Sequence, residues 1–535
     1  MSNDRARALL SRRRFLILVC AAPVAASVGC AGPAQPTQAP SAPATSQPAP
    51  AAPTSTPVPP KTGGTLRFGK GSDFTGFDPT RFGTFMNWIP SLYDTLIRED
   101  AQLNPQPQLA ESWEFSSDGL SLTFSLRKGV TFHDGRQLEA EDVVYSFNRT
   151  KNPDIGANIR GMLAPIGGAE AKDKNTVVFK FEKPYAAVFD ALDLLFVIPD
   201  ESGEDIKTKP VGTGPFSLAQ WLPNNMAILK RNPDYWLSGA PVLDQVEIKI
   251  LSDTQGRVVG LETDTVDMVE APGYIDFVRL REDQKYQALT AGNGAAILCA
   301  YFNVDHEPFD NKKVRQAFSY ALDRARITQT YTRGVSQPMC LPWRKEVFAY
   351  DATLASTCEF NLDKAKQLLA EAGFPDGFEA DVNTSGEGYS PGSKVTAEIF
   401  QADLAKIGVK LNIHEYEAAA ARPKLVGGDF QVAVHGYGRA NRDPATLFGG
   451  ALPFYNNSAI TGYGSDEYGK LIDEGATTLD MNKRKEIYHR LTEIIVDEAV
   501  VLTICPRPET YVLRDSVKGF ATNLDGMMDL RKVTV

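Results

Sequence analysis

Histidine is scarce in this chain. Its 535 residues hold five: His133, His306, His414, His435 and His489. None pairs with another at a metal-ligand spacing, which argues against a bare metal ion as cargo or cofactor. No G-x-S-x-G elbow occurs, so the usual mark of an exported serine hydrolase is missing. The six cysteines match no zinc spacing. The formal net charge of −10 leaves no basic surface for nucleic acid. Val211-Gly-Thr-Gly-Pro-Phe is glycine-rich, but no Lys-Ser or Lys-Thr follows and Pro215 removes an amide, so it is not a phosphate loop. These absences favour a binding protein with no cofactor over an enzyme.

The first 30 residues do not belong to the fold. Arg5, Arg7, Arg12, Arg13 and Arg14 precede an apolar run from Phe15 to Ala26. That run is too short for an ordinary membrane span and suits an export signal. Ser11-Arg-Arg-Arg-Phe-Leu looks like a twin-arginine signal. Small residues before Cys30 resemble a lipoprotein cleavage box, with Ser27 where Leu is usual. A lipid on Cys30 would tether the chain to the outer face of the cell membrane; plain cleavage would leave it free or periplasmic. Residues 31–62, rich in Pro, Ala, Thr and Ser, cannot bury enough apolar surface to order themselves and read as a tether.

The whole chain is 43% hydrophobic and 23% charged, which allows the remainder a large core in two lobes or more. Cys340 and Cys358 flank an irregular segment, and export permits a disulfide between them. Cys299 and Cys505 lie in apolar strand-like runs and read as buried small hydrophobes, a bridge between them being the alternative.

The most informative stretch is Leu109 to Arg149, LAESWEFSSDGLSLTFSLRKGVTFHDGRQLEAEDVVYSFNR. Ser117-Asp118-Gly119 is a turn. Leu120, Leu122, Phe124 and Leu126 alternate as a half-buried strand. His133-Asp134-Gly135 is a second turn with a surface histidine, and Glu139 opens a helix with Val143, Val144 and Phe147 on its apolar side. Helices are predicted over Phe85–Leu96, Lys312–Ile327, Asp363–Ala372, Ser393–Ile407 and Lys483–Val496, with strands between them. Helix and strand in alternation is an α/β pattern.

Leu109 to Arg149, Val211 to Phe216, Asn232-Pro-Asp-Tyr-Trp and Lys312 to Arg324 resemble the solute-binding proteins of ABC importers in the peptide, opine and nickel class, family 5. The likeness covers essentially residues 63–535. It implies a two-lobed periplasmic-binding-protein fold of type II, in the large class with an extra subdomain in the first lobe. Lobe I would span 63–305 with a small insert at about 105–204, lobe II 306–497, and a C-terminal return to lobe I 498–535. The implied function is capture of a solute between closing lobes and delivery to the transmembrane permease subunits, by a monomer whose outer surfaces are free to move.

The resemblance also places the ligand loop at His435-Gly-Tyr-Gly-Arg-Ala-Asn-Arg-Asp-Pro444. In peptide-binding relatives this loop carries an aspartate for the peptide's amino group; that position falls at Ala440, with Asp443 as a substitute if the loop shifts. Arg439 and Arg442 add positive charge instead, in a form suited to carboxylates or phosphates. The expected ligand is an anionic or amphoteric small molecule, with a di- or oligopeptide as the alternative. Expected ligand contacts are Tyr437, Arg439, Arg442, Asn303, Phe454 and Tyr463 on one side, and Phe77, Phe82, Thr84 and Trp221 on the other.

Overall fold

The signature stretch folds largely as its periodicity predicts, although Leu120 precedes the strand and is exposed. Strand Ala110–Phe115 turns through Gly119 (φ 70°) into strand Ser121–Leu126. Asp118 shapes the turn, accepting from the Ser116 hydroxyl and the Leu120 N–H. Leu122, Phe124 and Leu126 are buried. Helix Ala140–Lys151 follows, and Asp142 in its first turn accepts the Glu139 N–H at 2.8 Å. Phe147 of this helix and Phe124 both meet Phe179 edge-on, at 5.5 and 5.8 Å. Each buried phenyl contributes roughly 1.5–3 kcal/mol relative to an exposed one. The four-stranded sheet so built runs Ala110–Phe115, Ser121–Leu126, Thr176–Phe181, Ile166–Asp173.

This computed structural model describes residues 63–82, 87–292, 295–387 and 389–535. The export signal, Cys30, the tether and Thr84 lie outside the described residues. Phe82 is described only as the end of the short helix Pro79–Phe82.

His133 is not a surface residue. Its ring nitrogens meet the Gly214 carbonyl at 3.0 Å and the Gly212 N–H at 3.2 Å. The signature turn is thereby tied to the Val211-Gly-Thr-Gly segment. A Cβ on Gly212 would stand 2.1 Å from the Leu92 carbonyl oxygen, so only glycine permits this approach. The same contact accounts for a missing helix. Among the described part of Phe85–Leu96 only the turn Ile89–Ser91 is helical. The Leu92 carbonyl is taken by the Gly214 N–H, and Pro90 supplies no N–H of its own.

Two larger sheets form the lobes. Lobe I holds seven strands in the order Tyr286–Ala291, Glu509–Arg514, Met268–Glu270, Thr65–Lys70, Gln245–Ile250, Met226–Arg231, Phe216–Leu222. Lobe II holds five: Lys410–Tyr416, Glu379–Ser385, Val432–Tyr437, Ile297–Phe302, Val501–Pro506. The chain passes from one sheet to the other between Ala291 and Ile297 and returns between Pro506 and Glu509. Both crossings lie one strand away from the expected boundaries near 305 and 498. The apolar run Ile297–Phe302 is buried along its whole length because it sits inside the lobe II sheet, between two partners.

The predicted helix Lys312–Ile327 is two helices, Lys312–Tyr320 and Arg324–Thr332. Asp323 restarts the second by accepting the Arg326 N–H at 2.9 Å, an N-cap. Cys340 and Cys358 are disulfide-bonded, while Cys299 and Cys505 are free and buried. No helix of the described residues is long and apolar enough to cross a membrane.

Candidate functional site

The parallel strands of both sheets set the site. In lobe I, Thr65–Lys70 runs parallel to Gln245–Ile250 and to Met268–Glu270. In lobe II, Glu379–Ser385 runs parallel to Lys410–Tyr416 and to Val432–Tyr437. Ligands in open α/β sheets bind off the carboxyl ends of such strands. Lys70 and Glu270 stand at those ends in lobe I, and His435 in lobe II, with the Tyr389 ring 4.8 Å from its imidazole. The returning crossing carries Arg507 and Glu509 between them. Arg507 lies against Gly436, and Glu509 feels Glu270, Lys70 and Arg507.

One face of the lobe I sheet changes character along its length. Phe68, Met268 and Leu513 belong to the core. Two residues further along the first two strands come Lys70 and Glu270; opposite Glu270 is Tyr511, and two residues before it Glu509. Period two keeps them all on one face, so an apolar surface ends in a charged row at the junction of the lobes.

Within that row the charges differ in how far they are committed. Glu270 is fully engaged: Oε1 accepts from the Gly71 N–H at 2.9 Å and from Lys70 at 3.4 Å, and Oε2 accepts from Asn87 at 3.0 Å. Glu509 is exposed and makes no side-chain hydrogen bond or ion pair among the described residues. Its side chain lies over Gly526 at the junction, which removes part of its solvation. That loss of solvation, together with Glu270, raises it to about 7 against the pull of Lys70 and Arg507. Arg507 is half-buried. It donates to the Pro391 carbonyl at 3.4 Å, its Nε has no partner, and no carboxylate among the described residues pairs with it. Burial and the neighbouring Arg507 push His435 down to about 4, so its imidazole is neutral at pH 7.

The ligand loop departs from expectation. Arg442 is fully buried and does not face a solute. Its Nη1 reaches Glu99 at 2.7 Å and Asp190 at 3.2 Å; its Nη2 reaches Asp193 at 2.8 Å and Asp525 at 2.5 Å. Four carboxylates leave no donor for an anion. Asp443, the alternative amino-group acceptor, is held by Arg484 at 2.6 and 2.8 Å. Ala440 is buried in the lobe II core. Arg439, with φ 75°, has only a loose partner, Asp525 at 3.9 Å, and its side chain is mostly covered. Arg439 and Arg507 both lack a close carboxylate among the described residues.

Other expected contacts are structural. Tyr437 lies at the junction end of its strand, but it is buried and its hydroxyl donates to the Pro342 carbonyl at 3.0 Å. Phe454 packs edge-on against it at 4.9 Å, also buried. Phe77 sits in an aromatic cluster with Phe74, Trp88 and Trp221, and Trp221 donates to Asp73 at 3.3 Å. Asn303 is buried and donates to the Gly428 carbonyl at 2.8 Å. The direction of its strand explains this. Ile297 pairs with Tyr437 at the junction, whereas Phe302 pairs with Val432 at the far end. Six residues of strand carry Asn303 about 20 Å away from the junction. Tyr463 is half-buried beside Tyr468, near the Arg315 and Glu498 charges at that same far end.

Two lobes joined by paired crossings, with strand ends converging on a charged junction, define a solute-binding protein. Residues 104–458 match the family described as bacterial extracellular solute-binding proteins, family 5 Middle. The heme-binding protein A of Haemophilus influenzae is 30% identical over 481 residues, covering 83% of this chain and 87% of that protein. The dipeptide-binding protein of Escherichia coli K12 is 30% identical over 503 residues, covering 86% and 92%. Among solved structures, HbpA2 from Haemophilus parasuis superposes with a TM-score of 0.78 at 28% identity, covering 88% of this chain and all of that one. AgaA from A. tumefaciens R10, solved with agropinic acid, gives 0.74 at 26%, covering 88% and 99%. This chain belongs to the family 5 extracellular solute-binding proteins and has their type II two-lobed fold. Its function is capture of an extracellular solute for an ABC-type importer.

Proposed function

We propose that the captured solute is amphoteric, with a cationic group toward Glu509 and an anionic group toward Arg507 or Arg439. The observation that supports this reading is that, among the described residues, Glu509 has no close cation and Arg507 and Arg439 have no close carboxylate. Charges with protein partners add little attraction for a solute, while an uncommitted charge at the junction gains a partner on binding. The names of the relatives mention dipeptides, heme and agropinic acid, so the scaffold alone does not select the solute. A di- or tripeptide is the second reading, favoured by the likeness to the Escherichia coli dipeptide-binding protein. It would have to bring its amino group to Glu509, since Ala440 supplies no carboxylate.

The reading extends to the whole chain. A lipid on Cys30 holds the protein at the outer face of the membrane, residues 31–62 give it reach, and the body acts as a monomer that docks on its permease without performing chemistry. The test is a thermal-shift screen of the exported chain against amphoteric amino acids, dipeptides, simple organic acids, simple amines and metal chelates. A ligand that binds only the native state raises the melting temperature. Amphoteric compounds are expected to do so; a response confined to simple acids or to chelates would overturn the proposal.

A further inference from the structure

The Arg442 network joins the two lobes and is separate from Glu509 and Arg507, while Arg439 comes within 3.9 Å of one of its members, Asp525. Arg442 belongs to lobe II, on the loop that follows Val432–Tyr437. Its partners come from three separate segments of lobe I: Glu99 at the end of strand Ile97–Glu99, Asp190 and Asp193 in and after helix Val188–Leu192, and Asp525 near the C-terminus. The neighbouring loop residues cross the same seam. Asn441 donates to the Leu524 carbonyl, and the Asp443 N–H donates to Asp190 at 2.9 Å.

We infer that Arg442 is a latch: a positioning residue that holds lobe II against lobe I and sets the balance between closed and open forms before any solute arrives. The carboxylates form a receptor built for one guanidinium. Within lobe I, Arg98 is the cation that approaches them, at 3.4 Å from Asp193. With Arg442 withdrawn, four carboxylates would face one another with little compensation, and like charges this close resist joint ionisation. With Arg442 in place, every N–H direction of its terminal nitrogens meets an oxygen. Glu99 is raised by burial and by Asp190, so a proton held there offsets part of the negative charge that Arg442 and Arg98 leave in the closed seam.

Lobe closure is therefore favoured by the protein's own charges, and a solute need supply only the remainder of the closing free energy. The test measures closure directly and needs no solute. Spin labels at Lys230→Cys in lobe I and Lys470→Cys in lobe II, both at exposed positions, report the distance between lobes in the exported chain. The wild-type background is expected to show a major short-distance population. R442M and, independently, D525N should each lower the ratio of short to long distances at least tenfold, with R442K in between. The double variant R442M/D525N should open no further than R442M alone, because both changes break one contact. If R442M fails to fold, D525N and R442K decide. Wild-type distance distributions in both D525N and R442K, or fully additive effects in the double variant, would overturn the latch.

Discussion

Arg484 grips both oxygens of Asp443, at 2.6 and 2.8 Å, inside lobe II. The pair is almost fully covered, with side-chain exposures of 3% and 13%. Asp443 also accepts the Ala445 N–H at 2.9 Å and caps helix Pro444–Gly450. The loop carboxylate expected as the substitute amino-group acceptor is thus spent on holding the loop. Removing Arg484 leaves a buried carboxylate unpaired, which costs roughly 3–5 kcal/mol. R484M should lower the denaturant midpoint accordingly, measured by equilibrium unfolding.

Glu509 should show the opposite sign. Its carboxyl is held at about 7 in the native state, above its value in the unfolded chain. The native form therefore pays a growing penalty as the pH rises from the ordinary glutamate range through 7. E509Q removes that penalty. Its melting temperature should exceed that of the wild type at pH 8, and the two should converge near pH 4.5. A site that gives up stability for binding behaves this way.

The same group gives solute affinity a pH dependence. A cationic group on the solute prefers ionised Glu509, so affinity should rise by about tenfold between pH 6 and pH 8, the change in ionised fraction around a value near 7. E509Q should flatten the profile. Calorimetric titrations at the two pH values provide the check.

His435 contributes to acid sensitivity. Its native value of about 4 lies below that of an unfolded histidine, about 6.5. Stability from the neutral ring is fully present above 6.5 and is lost as the pH falls from there toward 4, because only the unfolded chain takes up the proton. H435N should reduce the fall in melting temperature across this interval.

The disulfide closes a segment with a sequence separation of 18. Loss of that link frees the unfolded chain by roughly 3 kcal/mol in the loop-entropy account. C340S/C358S should lower the unfolding free energy by about that amount, read from denaturant titrations.

The fold was legible where periodicity and turn chemistry agree. Leu122, Phe124 and Leu126 alternate, Asp118-Gly119 turns, and the resulting strands are those observed. The crossings were misplaced because an apolar run such as Ile297–Phe302 carries no mark of which sheet it joins or in which direction it points. Reversed direction alone moved Asn303 from the junction to the far end. The site was less legible still. Arg439 and Arg442 stand three positions apart and look alike in sequence, yet one meets four carboxylates from three distant segments and the other almost none. Glu509 lacks a local motif; its place follows from register with Glu270 and Tyr511, which only the assembled sheet supplies. The Val211-Gly-Thr-Gly segment was legible as glycine-rich and family-like, but its partner His133 was not.

The most direct test of the account is a calorimetric comparison of one amphoteric solute with its two singly blocked forms, one N-acylated and one carboxyl-amidated. Hydrogen bonds to charged groups contribute roughly 1.5–3 kcal/mol, and about 1.4 kcal/mol is tenfold in affinity. Blocking either charge should therefore weaken binding by ten- to a hundredfold, and the N-acylated form should bind wild type and E509Q equally. An N-acylated solute that binds as tightly as its parent, with E509Q unchanged toward both, would contradict the assignment of Glu509 and the amphoteric cleft with it.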